Sequence, residues 1–113
     1  MELNKRLKLA GFFLSLAEWD RHIEVIRQVM NSLDQFEPYA AFLRITKGKS
    51  NCLRASDICN FLIENGNTMD VSHAGMIIRL FDRSLQGRLD FGDFLRMVLT
   101  RDNPEMRFQS ALR

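Results

Sequence analysis

Several residue types are scarce in this chain, and each scarcity narrows what it can be. Only two cysteines occur, Cys52 and Cys59, at a spacing that fits no metal-ligand pattern. Reduced thiols in an intracellular protein are the expectation. Only two histidines occur, His22 and His73, far apart and with no carboxylate pattern around them. No Ser/His/Asp set, glycine-rich phosphate loop or paired-acid arrangement stands out, so no enzyme is expected. No apolar run reaches the length of a membrane span, and the short N-terminal apolar segment lacks a clear cleavage site. Neither charge sign dominates: 16 Lys and Arg stand against 14 Asp and Glu. That balance leaves no nucleic-acid footprint.

Helical periodicity, by contrast, is plentiful. Ala74, Ile77, Ile78 and Phe81 fall at i, i+3, i+4, i+7, and Phe94, Met97 and Val98 repeat the spacing downstream. Between them lie the twelve residues from Asp82 to Asp93, with Gly87 in sixth place, Leu89 in eighth, and acids first, ninth and twelfth. This stretch resembles the loop of the calmodulin-like EF-hand family, in which oxygens at alternate positions surround a cation and a glycine permits the sharp turn. The resemblance implies Asp82, Ser84, Gln86, Arg88 (through its carbonyl), Asp90 and Asp93 as the candidate metal ligands. The departures weaken the site. Ser84 offers a hydroxyl, Gln86 is neutral, Arg88 brings a cation, and Asp93 is one methylene shorter than the usual Glu. The expectation is a helix–loop–helix kept for packing, with no cofactor beyond weak Ca²⁺ or Mg²⁺ at this loop.

A second copy lies one period upstream. Aligning Leu53 with Leu89 makes the first loop Thr46 to Asp57. Ala41, Phe42 and Ile45 then match Ile77, Ile78 and Phe81, while Ile58, Phe61 and Leu62 match Phe94, Met97 and Val98. In the family, paired loops each donate a short strand to the other. Lys47, Lys49 and Arg54 crowd the first loop against one carboxylate, Asp57, so a divalent ion is repelled. Asn51 stands where glycine is usual, in a place that needs a left-handed backbone.

The expected fold class is therefore all-α, with paired EF-hands and an additional N-terminal helical segment. The segments are 1–35 (N-terminal helices), 36–100 (the pair) and 101–113 (a tail). Residues 3–14 read as a helix, with Leu3, Leu7, Ala10 and Leu14 on one stripe. Ser15-Leu16-Ala17-Glu18 has capping-box form and either starts a second helix or lies within a longer one. Trp19, Ile23, Ile26, Met30 and Leu33 form the next stripe. It suits the groove of an open hand pair, whether by folding back or by lying along a neighbour. Trp19, Ile23, Ile26, Met30, Leu95 and Leu99 are the candidate partner-binding residues. Pro38 suits the first turn of the next helix, Asp70 or Ser72 caps a later one, and Asn103-Pro104 ends the last.

Three pieces go beyond the general pattern: Ser56 to Leu62, Leu80 to Asp82, and Asp93 to Pro104. Together with the pair they resemble a group of EF-hand proteins abundant in ciliates and other flagellated protists. That resemblance implies a stable building block of a large assembly such as the ciliary axoneme. The degenerate loops favour a non-catalytic structural or adaptor protein that binds a partner helix through the paired-hand groove, largely without calcium, because a switch needs its ion and a permanent clamp does not. The cytoskeleton or cilium is the expected location. The alternatives are a calcium sensor using the second loop alone, and an accessory subunit of a mitochondrial enzyme complex.

Overall fold

The computed structural model describes residues 2–18, 23–33 and 36–100. Among them the protein is all-α. Six helices run in order: α1 (Leu3–Ala17), α2 (Ile23–Ser32), α3 (Pro38–Thr46), α4 (Ala55–Glu64), α5 (Val71–Phe81) and α6 (Phe91–Val98). No helix is long and apolar enough to cross a membrane among these residues. Trp19, His22, Asp34, Gln35 and the tail 101–113 lie outside the described residues, and the expectations attached to them go with them.

Each helix follows from its own apolar stripe and its ends. In α1 the core face is Leu9, Phe12, Phe13 and Leu16, at i, i+3, i+4, i+7 and all buried, whereas of the expected stripe only Ala10 is buried and Leu3 and Leu7 are exposed. That face continues past Ser15, so the S-x-x-E sequence does not start a helix. Ser15 lies inside α1, and the Glu18 amide closes the last turn on the Leu14 carbonyl at 3.2 Å. Pro38 occupies the first turn of α3, where its missing N–H costs nothing. Asp70 caps α5 by accepting from the Ser72 amide at 3.0 Å. After α4 the chain turns at Gly66, whose φ of 80° a side chain would resist, and the Asn67 amide returns to Leu62 O at 2.8 Å.

The first loop corrects one expectation. Its left-handed residues are Lys47 (φ 58°) and Gly48 (φ 66°), not Asn51. The turn is made early, directly at the end of α3. Ser50 then braces the rest, donating to the Cys52 carbonyl at 2.9 Å and accepting from the Cys52 amide at 3.3 Å. No reversal remains for Asn51 to make.

α3 packs on α4 and α6, and α5 packs on α4 and α6. Phe42 meets Phe94 and Phe91 with ring centroids 5.4 Å apart in both pairs, joining α3 to α6. The two loops meet at one end of this bundle. Leu53 donates to Leu89 O at 2.7 Å and Leu89 donates back to Leu53 O at 2.9 Å, an isolated antiparallel bridge. Both leucines are fully buried.

The N-terminal helices lie against this arrangement. α1 contacts α2, α4 and α5, and Phe13 sets its ring edge-on to Phe61 of α4 at 6.3 Å. α2 is tied to the end of α6 by side chains. The Arg27 guanidinium donates from Nε to Met97 O at 2.8 Å, and the Asn31 amide donates to Val98 O at 2.7 Å. Both residues are buried, and Arg27 also lies over the Phe12 ring at 5.8 Å.

Candidate functional site

The second loop begins where α5 runs out at Phe81. Asp82 is nearly buried there, and its carboxylate works inside the loop. Oδ2 accepts from the Gly87 amide at 2.7 Å, and Oδ1 accepts from the Ser84 hydroxyl at 3.3 Å. Gly87 has φ 75°, so the reversal falls on the residue that tolerates it. Leu89 then enters the bridge. Asp90 caps α6, accepting from the Asp93 amide at 2.7 Å, while Asp93 accepts from the Asp90 amide at 3.3 Å.

One contact changes the meaning of this loop. The Arg96 guanidinium donates from Nη2 both to Asp93 Oδ1 at 2.5 Å and to the Phe81 carbonyl at 2.7 Å. Asp93 is only 4 % exposed, while the Arg96 side chain keeps 27 % of its surface in water. A single cationic group thus joins the last residue of α5 to the twelfth-place carboxylate at the start of α6. Charge-assisted bonds of this kind are about twice as strong as neutral ones.

Of the remaining second-loop candidates, Ser84 and Gln86 are exposed and Arg88 is half-buried. Gln86 is exposed and accepts from Arg88 Nη2 at 3.3 Å, a contact within the chain. Among the described residues, no three His, Cys, Asp or Glu side chains converge on a point where an ion could sit. An open hollow of about 410 Å³ beside this loop and α6 is lined by Arg83, Asp90, Asp93, Leu95, Arg96 and Leu99, among others.

The first loop uses its charges in the same internal way. Asp57 accepts from the Arg54 amide at 2.8 Å, as Asp93 does from Asp90. At the other end of the loop, Lys47 Nζ lies 2.5 Å from Glu64 Oε1, and Arg44 Nη1 lies 3.1 Å from Oε2. The Lys47 hydrogen bond, backed by the charges of Lys47 and Arg44, holds the Glu64 carboxyl below its ordinary value against a smaller effect of burial. Thr46 donates to Phe42 O at 2.9 Å, so its hydroxyl also serves the helix it ends.

Of the candidate partner-binding residues, Met30 and Leu99 are buried in the chain's own interior. Ile23 and Ile26 are half-buried and pack on the core, and Leu95 is half-buried at the hollow. Three residues that organise the site escaped the sequence reading: Arg96, Arg27 and Asn31. Arg96 carried a signal, since it follows Asp93 by three positions on a helix, the spacing of a helical ion pair. Arg27 and Asn31 carried none, because a polar residue on a helix reads as wet until its partner is known. Comparison with family models, curated proteins and solved structures finds no match to the chain.

Proposed function

We propose that the chain is a non-catalytic structural or adaptor protein, built on a degenerate EF-hand pair that keeps its form without calcium. The observation that carries this reading is Arg96. In a calcium-switched hand, the ion ties the loop to the start of the exiting helix through the twelfth-place carboxylate. Here a guanidinium already holds Asp93 and the end of α5 together. The bridge between Leu53 and Leu89 supports the pairing of the two hands.

The second external requirement of a calcium-switched pair is a target helix for the apolar face that opening exposes. α1 and α2 lie against this pair, with Phe13 on Phe61 and Asn31 on the last turn of α6. A partner protein therefore docks elsewhere on this fold, and its attachment does not respond to calcium. A large assembly remains the proposed setting, with the ciliary axoneme the one to which the sequence resemblance points.

The test is a calcium titration of the full chain by calorimetry, with thermal melts in saturating Ca²⁺ and in chelator. The reading expects no heat and superimposable melts. A saturable heat with a raised melting temperature would replace it with a calcium sensor.

A further inference from the structure

The two ends of α1 carry opposite charges that the chain itself leaves unmatched. At the start, Leu3 and Leu7 stand one turn apart with 57 % and 47 % of their surface exposed. Lys8, next to Leu7, is exposed, and Arg6 has its Nε shut away from water with no acceptor. Lys5 is matched by Glu2 at 3.8 Å, but neither Arg6 nor Lys8 has a carboxylate partner among the described residues. The far end of α1 borders an open hollow of about 520 Å³, shared with the turn after α4 and the first residues of α5. Leu14, Ala17 and Met69, each half-buried against the core, give it an apolar lining. Glu18 and Asp70 give it negative charge, with His73 alongside. Both acids are exposed, and neither has a lysine or arginine partner among the described residues.

We infer that the start of α1 docks into this hollow on a second copy of the chain, with Leu3 and Leu7 on the apolar lining and Lys8 toward Glu18 and Asp70. The two surfaces are complementary in both respects, apolar to apolar and base to acid. They lie at opposite ends of one helix, so no copy fills its own hollow. Apolar side chains at the centre of a contact give most of its strength, and charges around them orient the approach. The contact joins two different patches, so each added copy brings a free start and a free hollow. Association is then head-to-tail and continues past two copies instead of stopping at a symmetric pair. A contact this small is weak between single copies and gains strength by repetition in an array. The inference goes beyond the adaptor reading and does not depend on whether calcium binds.

The experiment is sedimentation equilibrium of the full chain from micromolar to millimolar concentration at low salt. The average mass should rise past that of two chains and fall back as salt is added. Lys8→Glu and Glu18→Lys should each weaken association by about tenfold or more, because each sets like charges against one another. An equimolar mixture of the two variants should restore association, and so should the double variant Lys8→Glu/Glu18→Lys alone. Leu7→Ser should weaken it with no change of charge. These three positions are exposed, so each variant should melt within about 2 °C of wild type, and a lost contact is then not a lost fold. A chain that stays monomeric throughout would overturn the inference, as would growth that stops at two copies. So would association that ignores either charge reversal, or that the mixture of variants fails to restore.

Discussion

Replacing Arg96 with methionine removes one side chain and two bonds. The methionine keeps most of the aliphatic stem, so the change falls on the guanidinium. Asp93 is then left almost buried, with its own backbone contacts to Asp90 but without its countercharge. Phe81 O loses the donor that joined it to α6. A charged hydrogen bond contributes roughly 1.5–3 kcal/mol, and an unsatisfied carbonyl adds about 1 kcal/mol. The Arg96 side chain is itself 27 % exposed, so water recovers part of that loss. The net cost is about 2–3 kcal/mol, which lowers the melting temperature of a domain this size by roughly 10–15 °C. Circular dichroism melts and urea titration measure it. Arg96→Lys should recover only part, because an ammonium keeps the charge but not the planar fork that spans both acceptors. The double variant Asp93→Asn/Arg96→Met should fall short of the summed single effects by about 1 kcal/mol, the signature of direct coupling. A methionine variant melting within about 2 °C of wild type would refute the account, since the bridge would then hold nothing.

Asn31→Ala removes the donor to Val98 O at the contact of α2 with α6 and should cost about 2 kcal/mol by urea titration, with the unfolding slope unchanged. Glu64 has its carboxyl held below the ordinary 4.5, so the stability it adds is present above that value and is lost as pH falls through the lower folded value. Its side chain is 29 % exposed, so the effect is about half a kcal/mol, and Glu64→Gln should flatten the acid limb of a melting-temperature profile by that much. Burial, with Asp70 adding to it, raises the Cys59 thiol above 9.0, so alkylation of this residue followed by mass spectrometry should be slower in the folded chain than in urea.

The hydrophobic repeat was readable because it depends on spacing alone. Ala74, Ile77, Ile78 and Phe81 are buried, as are Ile58, Phe61, Leu62, Phe94, Met97 and Val98, and the alignment of Leu53 with Leu89 names the pair that forms the bridge. Turn chemistry was less readable. Asn51 stands at the place where the family has glycine and tolerates a left-handed backbone, yet the reversal falls earlier, on Lys47 and Gly48, where the loop's own glycine adopts it without cost. Of the two readings of the S-x-x-E sequence at Ser15, the structure takes the longer helix: Leu16 is buried on the same face as Phe12 and Phe13, and the helix runs on to Ala17. The polar residues that organise the site were the least readable. Arg27, Asn31 and Arg96 act through backbone carbonyls, at Met97, Val98 and Phe81, and a carbonyl leaves no mark in a sequence.

A switch needs a ligand that binds one state better than another, and a ligand already attached to the chain offers no such choice. Arg96 is fixed on α6 three residues from the carboxylate it serves, and α1 and α2 are joined to the helices they lie against. Each acts at the high effective concentration of an intramolecular group. An external ion would have to displace a guanidinium bonded to Asp93, and an external helix would have to displace Phe13 from Phe61 and Asn31 from Val98 O. Under this reading, the two places where a calcium-switched pair meets its regulators are the two places where this chain is internally occupied. Recognition then falls to surfaces that the fold leaves open and does not need for its own stability.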